Sequence, residues 1–375
     1  MPDSFIPQTD PRAGYLDARA AIDATLARVL TSGSYILGEE VERFEREFAA
    51  YIGVTHAVGV ASGTDALVLA LRALQLAPTD YVATVSHTSI ATVAAIELAG
   101  ARPLLVDIDP VTMTLDPGSL EHVLSSPPGR VGAIVPVHLY GESADIDAIL
   151  RLARPRDIPV VEDCAQSHGA WLRHHRLGSF GAFGAFSFYP TKNLGALGDG
   201  GMVVTCDAAL ADRVRCLRQY GWRERHVSDI AGMNSRLDAL QAAVLGAKLP
   251  MLDVGNARRR AIAAIYDEGL AAVRGLVLPG RRWGAVPVFH QYVVRHSDRD
   301  ALRAALCAAG IATAIHYPVP IHRQPAYRGR VAIAPGGLLN TELAAGRVMS
   351  LPMFPQLGAD AARRVVAELR KALDR

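Results

Sequence analysis

A single lysine, Lys192, separates an aromatic, apolar run that ends at Tyr189-Pro190 from a glycine-rich loop, and the chain becomes strand-like again at 202–205. Apolar walls disfavour the ammonium form, so such a lysine loses its proton more easily than a free one. A deprotonated lysine is a nucleophile, and one chemistry that uses it is an imine with the aldehyde of pyridoxal phosphate, PLP. A surface lysine in a hairpin loop fits this stretch equally well.

A carboxylate, Asp163, follows the apolar strand candidate 159–162. An unpaired charge is costly in such a setting. A PLP enzyme needs an aspartate that pairs with the protonated pyridine nitrogen, because the pairing keeps the ring cationic and able to take up electrons. Asp163 suits that role, and the alternative is an aspartate that caps a helix.

Two further loops follow strand candidates and carry small or polar residues. Ser62, Gly63 and Thr64 open a helix, where small residues and free N–H groups favour a phosphate. An ordinary helix cap is the alternative. His87 and Ser89 follow the next strand and could face a planar ligand. The simpler interpretation is a histidine at a strand end whose ring nitrogens are hydrogen-bonded within the protein.

Later in the chain, Asn234 opens a helix, and capping explains it as well as ligand binding does. A proline-rich loop from 316 to 327 gathers aromatic, histidine and arginine side chains that could hold a nucleotide or form a rigid packed loop. The candidate substrate-binding residues in this loop are His316, Tyr317, His322 and Tyr327.

These residues must be positioned by an alternation of short apolar runs and helical stretches that begins at His56. Continuous apolar strands joined by helices predict an α/β fold with a parallel sheet covered on both faces, and ligands gather at the carboxyl ends of its strands. Pro250 interrupts a helical pattern, so we expect a large domain over 1–249 and a smaller one over 250–375. The smaller domain has antiparallel character, with strand candidates at 286–294 and 312–317.

Length and composition exclude several classes of protein. The 375 residues exceed the usual size of one core, and the net charge of +2 gives no basic stripe for nucleic acid. The N-terminus lacks the features of a signal peptide and no stretch is long and apolar enough for a membrane, so we expect a cytoplasmic protein. The four cysteines have no metal-ligand spacing, and His174-His175 has no acidic neighbours, so no metal is expected.

Taken together, the motifs resemble those of the DegT/DnrJ/StrS family of sugar aminotransferases, within the aspartate aminotransferase fold type of PLP enzymes. The resemblance runs from about Ser34 to the C-terminus. The order and spacing of its pieces carry it: Gly63-Thr-Asp-Ala-Leu67, His138-Leu-Tyr-Gly141, Glu162-Asp-Cys-Ala-Gln-Ser-His-Gly169, the stretch 187–201 around Lys192, Asn234-Ser-Arg-Leu-Asp238 and the loop 316–322.

The resemblance implies a mainly parallel seven-stranded sheet in a large PLP-binding domain with helices on both faces, plus a smaller α+β C-terminal domain. It makes Lys192 the Schiff-base lysine and Asp163 the partner of the pyridine nitrogen. Many relatives stack an aromatic residue on the ring where this chain has Ser89, so that role is unfilled or passes to His87. The remaining cofactor-binding expectations are Gln166 at the ring hydroxyl, Gly63, Thr64 and Ser187 at the phosphate with Ser62 beside them, and Asn234 at the phosphate of a neighbouring subunit in a homodimer with shared active sites.

The implied activity transfers an amino group from L-glutamate to a nucleotide-linked keto-deoxysugar. The segments 86–88, 138–141 and 220–225 look more like those of members acting at the 3-position of dTDP-linked 6-deoxy sugars, with 4-keto sugars as the alternative. A PLP-binding regulatory protein is the rival outside catalysis. Dehydratase relatives carry histidine in place of the lysine, so Lys192 argues against them, and the GxGxxG of a dinucleotide site is absent after the first strand.

Overall fold

The computed structural model describes residues 5–374, so the first four residues of the predicted 1–249 domain lie outside the described chain. Its helices alternate with short strands through the first two thirds of the chain, as the apolar pattern predicts. The α-helices are α1 Pro11–Asp17, α2 Arg19–Ser32, α3 Glu39–Ile52, α4 Gly63–Ala73, α5 Ile90–Leu98, α6 Pro117–Ser125, α7 Ile146–Ala153, α8 Ala208–Leu217, α9 Ala239–Lys248, α10 Leu252–Leu270, α11 Arg299–Ala308, α12 Leu339–Arg347 and α13 Ala359–Leu373.

The strands are mostly four or five residues long where they form the buried sheets and shorter elsewhere. They are β1 His56–Val60, β2 Tyr81–Val85, β3 Arg102–Val106, β4 Val131–Ile134, β5 Val161–Asp163, β6 Trp171–Leu172, β7 His175–Arg176, β8 Phe183–Ser187, β9 Gly201–Thr205, β10 Trp222–Glu224, β11 Val227–Ser228, β12 Ala285–Val286, β13 Tyr292–Arg295, β14 Ala332–Ile333 and β15 Val348–Leu351.

Two four-stranded sheets form the platform of the molecule, with the orders β14-β3-β2-β4 and β1-β9-β8-β5. The first sheet is parallel throughout, and in the second only β9 runs against its neighbours. Parallel bridges from Ile134 to Val160 and from Val137 to Asp163 connect the two sheets. The α/β class is confirmed, whereas a count of seven strands in one sheet stays a prediction.

Helix α3 shows why the lysine segment is held rigidly. Acidic side chains in its first turn complement the helix dipole, and Phe44 and Phe48 are one turn apart on its buried face. Phe48 packs edge-on against Phe186 of β8, with ring centroids 5.0 Å apart, and both phenylalanines of α3 pack against Phe188 at 5.4 Å. Each buried phenylalanine contributes roughly 1.5–3 kcal/mol, so the chain entering the lysine loop is firmly anchored.

The C-terminal part departs from the sequence prediction in two places. The predicted strand 286–294 is interrupted, because Pro287 has no N–H to donate and Phe289 has a positive φ of 43°. Its ends become β12, which pairs with β6, and β13, which pairs with β15. The predicted strand 312–317 forms only one bridge, from Ala314 to Ser350.

A second apolar core unites α10, α11, α13 and β13, with Tyr266 and Tyr292 fully buried in it. The predicted domain boundary falls in a short 3-10 turn, Leu249–Met251, between α9 and α10. The division at 249–250 stays a prediction. No helix within residues 5–374 is long and apolar enough to cross a membrane, and the cytoplasmic location also stays a prediction.

Candidate active site

The lysine loop joins the end of β8 to the start of β9. The Lys192 backbone N–H donates to the carbonyl of Tyr189 at 2.8 Å, which closes a tight turn. A Cβ on Gly195 would lie 2.4 Å from the carbonyl oxygen of Pro190, so only glycine allows the chain to fold back this closely. The loop therefore presents its lysine from a fixed backbone.

Lys192 is half-buried, and burial lowers its pKa to about 8 although the carboxylate of Asp163 pulls that pKa upward. About one tenth of the side chains therefore carry no proton at pH 7. This fraction supplies a free amine next to a buried carboxylate, as a nucleophilic lysine requires.

Asp163 ends β5 and exposes only 5% of its surface. Its Oδ2 accepts a hydrogen bond from Thr92 Oγ1 at 2.9 Å, and its Oδ1 accepts one from the N–H of Ala165 at 3.1 Å. Burial raises its pKa, while these two donors and the charge of Lys192 lower it. No α-helix begins between β5 and β6 in the described chain, so the helix-cap interpretation of Asp163 is wrong.

The predicted phosphate loop brings the start of α4 against the end of β8. Ser62 caps α4 by accepting from the N–H of Asp65 at 3.1 Å, so the capping interpretation of this residue is correct. A Cβ on Gly63 would lie 2.4 Å from Cβ of Ser187, and one on Gly201 would lie 2.2 Å from the carbonyl oxygen of Ser62. Gly63 and Ser187, which are far apart in sequence, thus share one side of the site, and Thr64 follows in the first turn of α4.

Asn234 precedes α9, which begins at Ala239 with Asp238 as its N-cap, so the prediction that Asn234 opens and caps a helix is wrong. Its side chain is exposed, and its backbone forms a bridge with Gln219. The next residue, Ser235, is buried and donates from its hydroxyl to Asp65 Oδ2 at 2.7 Å, while its Oγ accepts from the N–H of Ala61 at 3.1 Å. The Asn234 segment therefore stabilises the phosphate loop through the hydrogen bonds of Ser235. A direct contact of Asn234 with a ligand stays a prediction.

The second predicted loop places His87 and Ser89 in different roles. His87 is fully buried, its Nε2 lies 2.8 Å from Oη of Tyr140, and burial lowers its pKa to about 4. Ser89 caps α5 through a long hydrogen bond of 3.4 Å from the N–H of Ala91, and it also interacts with the hydroxyl of Tyr317. A ring-stacking role for His87 stays a prediction.

Gln166 connects this region to the C-terminal part of the chain. Its Oε1 accepts from the N–H of Tyr140 at 2.7 Å, and its Nε2 donates to Oη of Tyr317 at 3.2 Å. The hydroxyl of Tyr140 also donates to the carbonyl of His316. Tyr317 thus reaches both Gln166 and Ser89, and burial together with the charge of Asp163 raises its pKa to about 12.

The loop 316–327 divides into a part at the lysine and a part that supports it. His316 Nδ1 lies 2.8 Å from Ser350 Oγ, and burial with the nearby charge of Lys192 lowers its pKa to about 4. His322 lies between Ser86 Oγ at 2.8 Å and Glu342 Oε1 at 3.1 Å. Tyr327 is buried in a small apolar cluster with Ile321. His316 therefore adjoins Lys192 and Tyr317 adjoins Asp163, and substrate contacts by all four residues of the loop stay predictions.

The chain matches the model of the DegT/DnrJ/EryC1/StrS aminotransferase family over residues 17–370. It belongs to this family. It is 48% identical over 370 residues to a dTDP-3-amino-3,4,6-trideoxy-alpha-D-glucose transaminase of Streptomyces venezuelae, covering 99% of this chain and 97% of the relative. It is 47% identical over 365 residues to the erythromycin biosynthesis sensory transduction protein EryC1 of Saccharopolyspora erythraea, covering 97% and 99%.

Among solved structures, the chain is similar to S. venezuelae DesV in complex with a ketimine intermediate. The TM-score is 0.95 at 48% sequence identity, and the match covers 99% of each chain.

For a DegT/DnrJ/EryC1/StrS aminotransferase, the sequence interpretation missed two histidines near the lysine. His168 is fully buried beside Phe186, and burial with the charge of Lys192 lowers its pKa to about 3. His290 Nδ1 lies 3.2 Å from Asn193 Oδ1, and burial holds its pKa well below the usual range. His168 belongs to the motif 162–169, whereas no local sequence pattern indicated that His290 lies near the lysine.

One cluster in this aminotransferase has the residue types of a metal site, namely His138, Glu162 and Cys164. Its polar atoms are already used: Glu162 accepts from His138 Nε2 at 3.0 Å and from the N–H groups of Gly178, Phe180 and Gly181 at 2.8–2.9 Å. His138 Nδ1 accepts from the N–H of Ala144 at 3.0 Å, and burial raises the pKa of the Cys164 thiol well above its usual value. The cluster is best explained as a hydrogen-bonded support for β5.

Proposed function

We propose that this chain uses PLP to transfer an amino group from L-glutamate to a nucleotide-linked keto-deoxysugar of the dTDP-3-keto-6-deoxyhexose type. The observation that carries the proposal is Lys192, whose pKa burial lowers to about 8 beside the buried carboxylate of Asp163. The transaminase name of the Streptomyces venezuelae relative supports the 3-amino sugar as the product class.

The residues present fit PLP. The lack of a side chain at Gly63 lets Ser187 approach the start of α4, which gathers the backbone of Gly63, Ser187 and the first turn with Thr64 for a phosphate. Asp163 has Oδ atoms held by Thr92 and Ala165 and offers a negative charge in a buried place. When bound there, PLP supplies an aldehyde for the lysine and a ring that takes up electrons.

The chain's own residues then move one proton. The free amine of Lys192 takes a proton from the α-carbon of the donor and, in the second half of the reaction, returns one to the sugar carbon. His168 and His316 remain neutral at physiological pH, since their pKa values are lowered to about 3 and about 4. They leave Lys192 as the basic group, while Asp163 stabilises positive charge on the ring nitrogen.

We also propose a homodimer with shared active sites and a single large-domain platform of seven main strands over 1–249. The apolar side chains of Tyr189 and Leu197, which flank the lysine, expose 53% and 47% of their surface, and Ile36 exposes 49%. Tyr189 and Leu197, which stand on the two sides of Lys192 in the sequence, support a protein contact at this loop. Exposed Asn234 then reaches the phosphate in the partner subunit, and a stable monomer that binds PLP tightly contradicts this assignment.

The name of the Saccharopolyspora erythraea relative favours a second candidate, a PLP-binding regulatory protein. The test is a screen of dTDP-linked 3-keto and 4-keto sugars with L-glutamate and PLP-loaded protein. NMR then gives the position and stereochemistry of the new amine. Amination at the 3-position is the expected result; amination only at the 4-position overturns the substrate assignment, and PLP binding without turnover of any keto sugar favours the regulatory role.

A further inference from the structure

The chain directly after Lys192 packs on helix α9. Leu194 and Ala196 expose only 1% and 2% of their surface and belong to the same apolar core as Leu245 of α9. The residues between and after them face the other way, and Leu197 exposes 47%. The loop therefore lies on α9 with alternate side chains buried.

Two backbone groups of this loop have no backbone partner in the described part of the chain. The N–H of Ala196 donates to the carbonyl of Phe188 at 2.8 Å, but the carbonyl of Gly195 and the N–H of Leu197, on either side of it, lack such a bond within residues 5–374. Backbone groups in this position need a side chain or water as partner. The side chains that meet them therefore decide how firmly the loop is held.

Both groups are satisfied by side chains of α9. Gln241 Oε1 accepts from the N–H of Leu197 at 2.8 Å, and the ammonium of Lys248 donates to the carbonyl of Gly195. Since Gln241 and Lys248 are two turns apart on α9, they project from the same face of the helix. A Cβ on Gly198 would lie 3.1 Å from Gln241 Nε2, so the amide also packs against the loop.

The position of this loop controls the access of water to Lys192. The lysine lies within five residues of both anchored groups, and a tight turn precedes it, so the loop cannot lift from α9 without moving the lysine. Burial lowers the pKa of Lys192 to about 8, whereas an ammonium that water reaches keeps an ordinary pKa of about 10.4. Loosening the loop should therefore return Lys192 to its protonated form at neutral pH.

We propose that Gln241 and Lys248 are positioning residues for Lys192, which hold the loop 193–197 on α9 and thereby keep the lysine amine at its buried place. The inference rests on the proposed function only in taking Lys192 as the reacting amine. Neither residue needs to touch a substrate or the cofactor for this role. Gln241 is the sharper test of the two, because it carries no charge that could act on Lys192 directly.

The test measures Lys192 in the apoprotein by competitive labelling with a limiting amount of acetic anhydride over a range of pH, with mass spectrometry of the modified lysine. Gln241→Met keeps the length and removes the acceptor. The labelling rate of Lys192 at pH 7, relative to its plateau at high pH, should fall about tenfold, the change that one pKa unit gives. Gln324→Met is the matched control, because Gln324 bonds the carbonyl of Val319 outside the lysine loop, and it should leave the curve unchanged.

Lys248 gives an independent variant if Gln241→Met does not fold. Lys248→Met removes the donor to Gly195 together with a charge, and it should shift the labelling curve of Lys192 in the same direction. Lys248→Arg keeps both the charge and a donor, so it should restore the wild-type curve.

A wild-type labelling curve in Gln241→Met and Lys248→Met, with a lowered Tm, overturns the proposal, because these contacts then only stabilise the fold. An equal shift in Gln324→Met overturns it too. The two proposals fail separately. A wild-type protein that aminates a keto sugar while both variants keep the wild-type curve refutes only the positioning role, whereas a shifted curve in a protein that turns over no keto sugar supports the positioning role and refutes the proposed function.

Discussion

Replacing Lys192 with methionine should stabilise the protein when PLP is absent. An ordinary lysine has a pKa of about 10.4, and each pKa unit corresponds to about 1.36 kcal/mol. With a folded-state pKa of about 8 for Lys192, keeping the ammonium form at pH 7 costs the folded apoprotein about 3 kcal/mol relative to the unfolded chain. Methionine has a similar length and no charge, so Lys192→Met removes this cost.

The sign of the pH dependence follows from proton binding. The folded state binds fewer protons at Lys192 than the unfolded state, so the cost is complete below pH 8 and disappears as the pH rises toward about 10.4. The advantage of Lys192→Met should fall below about 1 kcal/mol at pH 10. Lys248, whose pKa is also lowered to about 8, titrates in the same window in both proteins and cancels from the difference.

The assay is thermal unfolding of the apoproteins at pH 7, 8.5 and 10. For 375 residues the unfolding entropy is about 0.8 kcal/mol/K, so the predicted gain at pH 7 is about 4 °C in Tm. Lys371→Met, at a lysine that exposes 63% of its side chain, is the control and should give no pH-dependent gain. A Lys192→Met protein no more stable than wild type at pH 7, or equally stabilised at pH 10, refutes the reasoning.

Two further substitutions test the neighbouring groups. Asp163→Asn removes the charge but keeps the shape, and it should lower kcat/KM for the glutamate half-reaction on the order of 10²–10³-fold; a wild-type rate removes the assigned role of Asp163. Gly63→Ala puts a Cβ 2.4 Å from that of Ser187, so it should cost about 1–3 kcal/mol of stability and weaken PLP binding measured by fluorescence titration. Gly346→Ala has open space around the new Cβ and is its control. Equal effects of the two alanines therefore contradict the role assigned to the close approach of Gly63 to Ser187.

The sequence identified Lys192 and Asp163 as candidates because the signals of both residues are local. Apolar runs of four or five residues identify the strands, and a charge placed directly after such a run, as at Asp163, lies at the carboxyl edge of the sheet. The glycine-rich turn around Lys192 is likewise a property of contiguous residues. The α/β class follows from the alternation of strands and helices.

The rest of the site depends on contacts between distant segments, for which local patterns carry no signal. His290 contacts Asn193, which lies 97 residues earlier in the chain. Tyr140 adopts a positive φ of 62° that no turn motif in the sequence predicts. The apolar run 286–294 favoured a continuous strand, yet the positive φ of Phe289 divides it. Pairing of β14 with β3 also joins the C-terminal third of the chain to the first sheet, which periodicity alone does not predict.

The central claim is that Lys192 performs the amino transfer, and one spectroscopic measurement tests it most directly. PLP-loaded wild-type protein is mixed with L-glutamate and then with a dTDP-linked 3-keto sugar while the absorbance of the cofactor is followed. We expect the near-visible band to be lost with glutamate and to return only with the keto sugar, and Lys192→Ala to show neither change. Substantial amino transfer by Lys192→Ala contradicts the account.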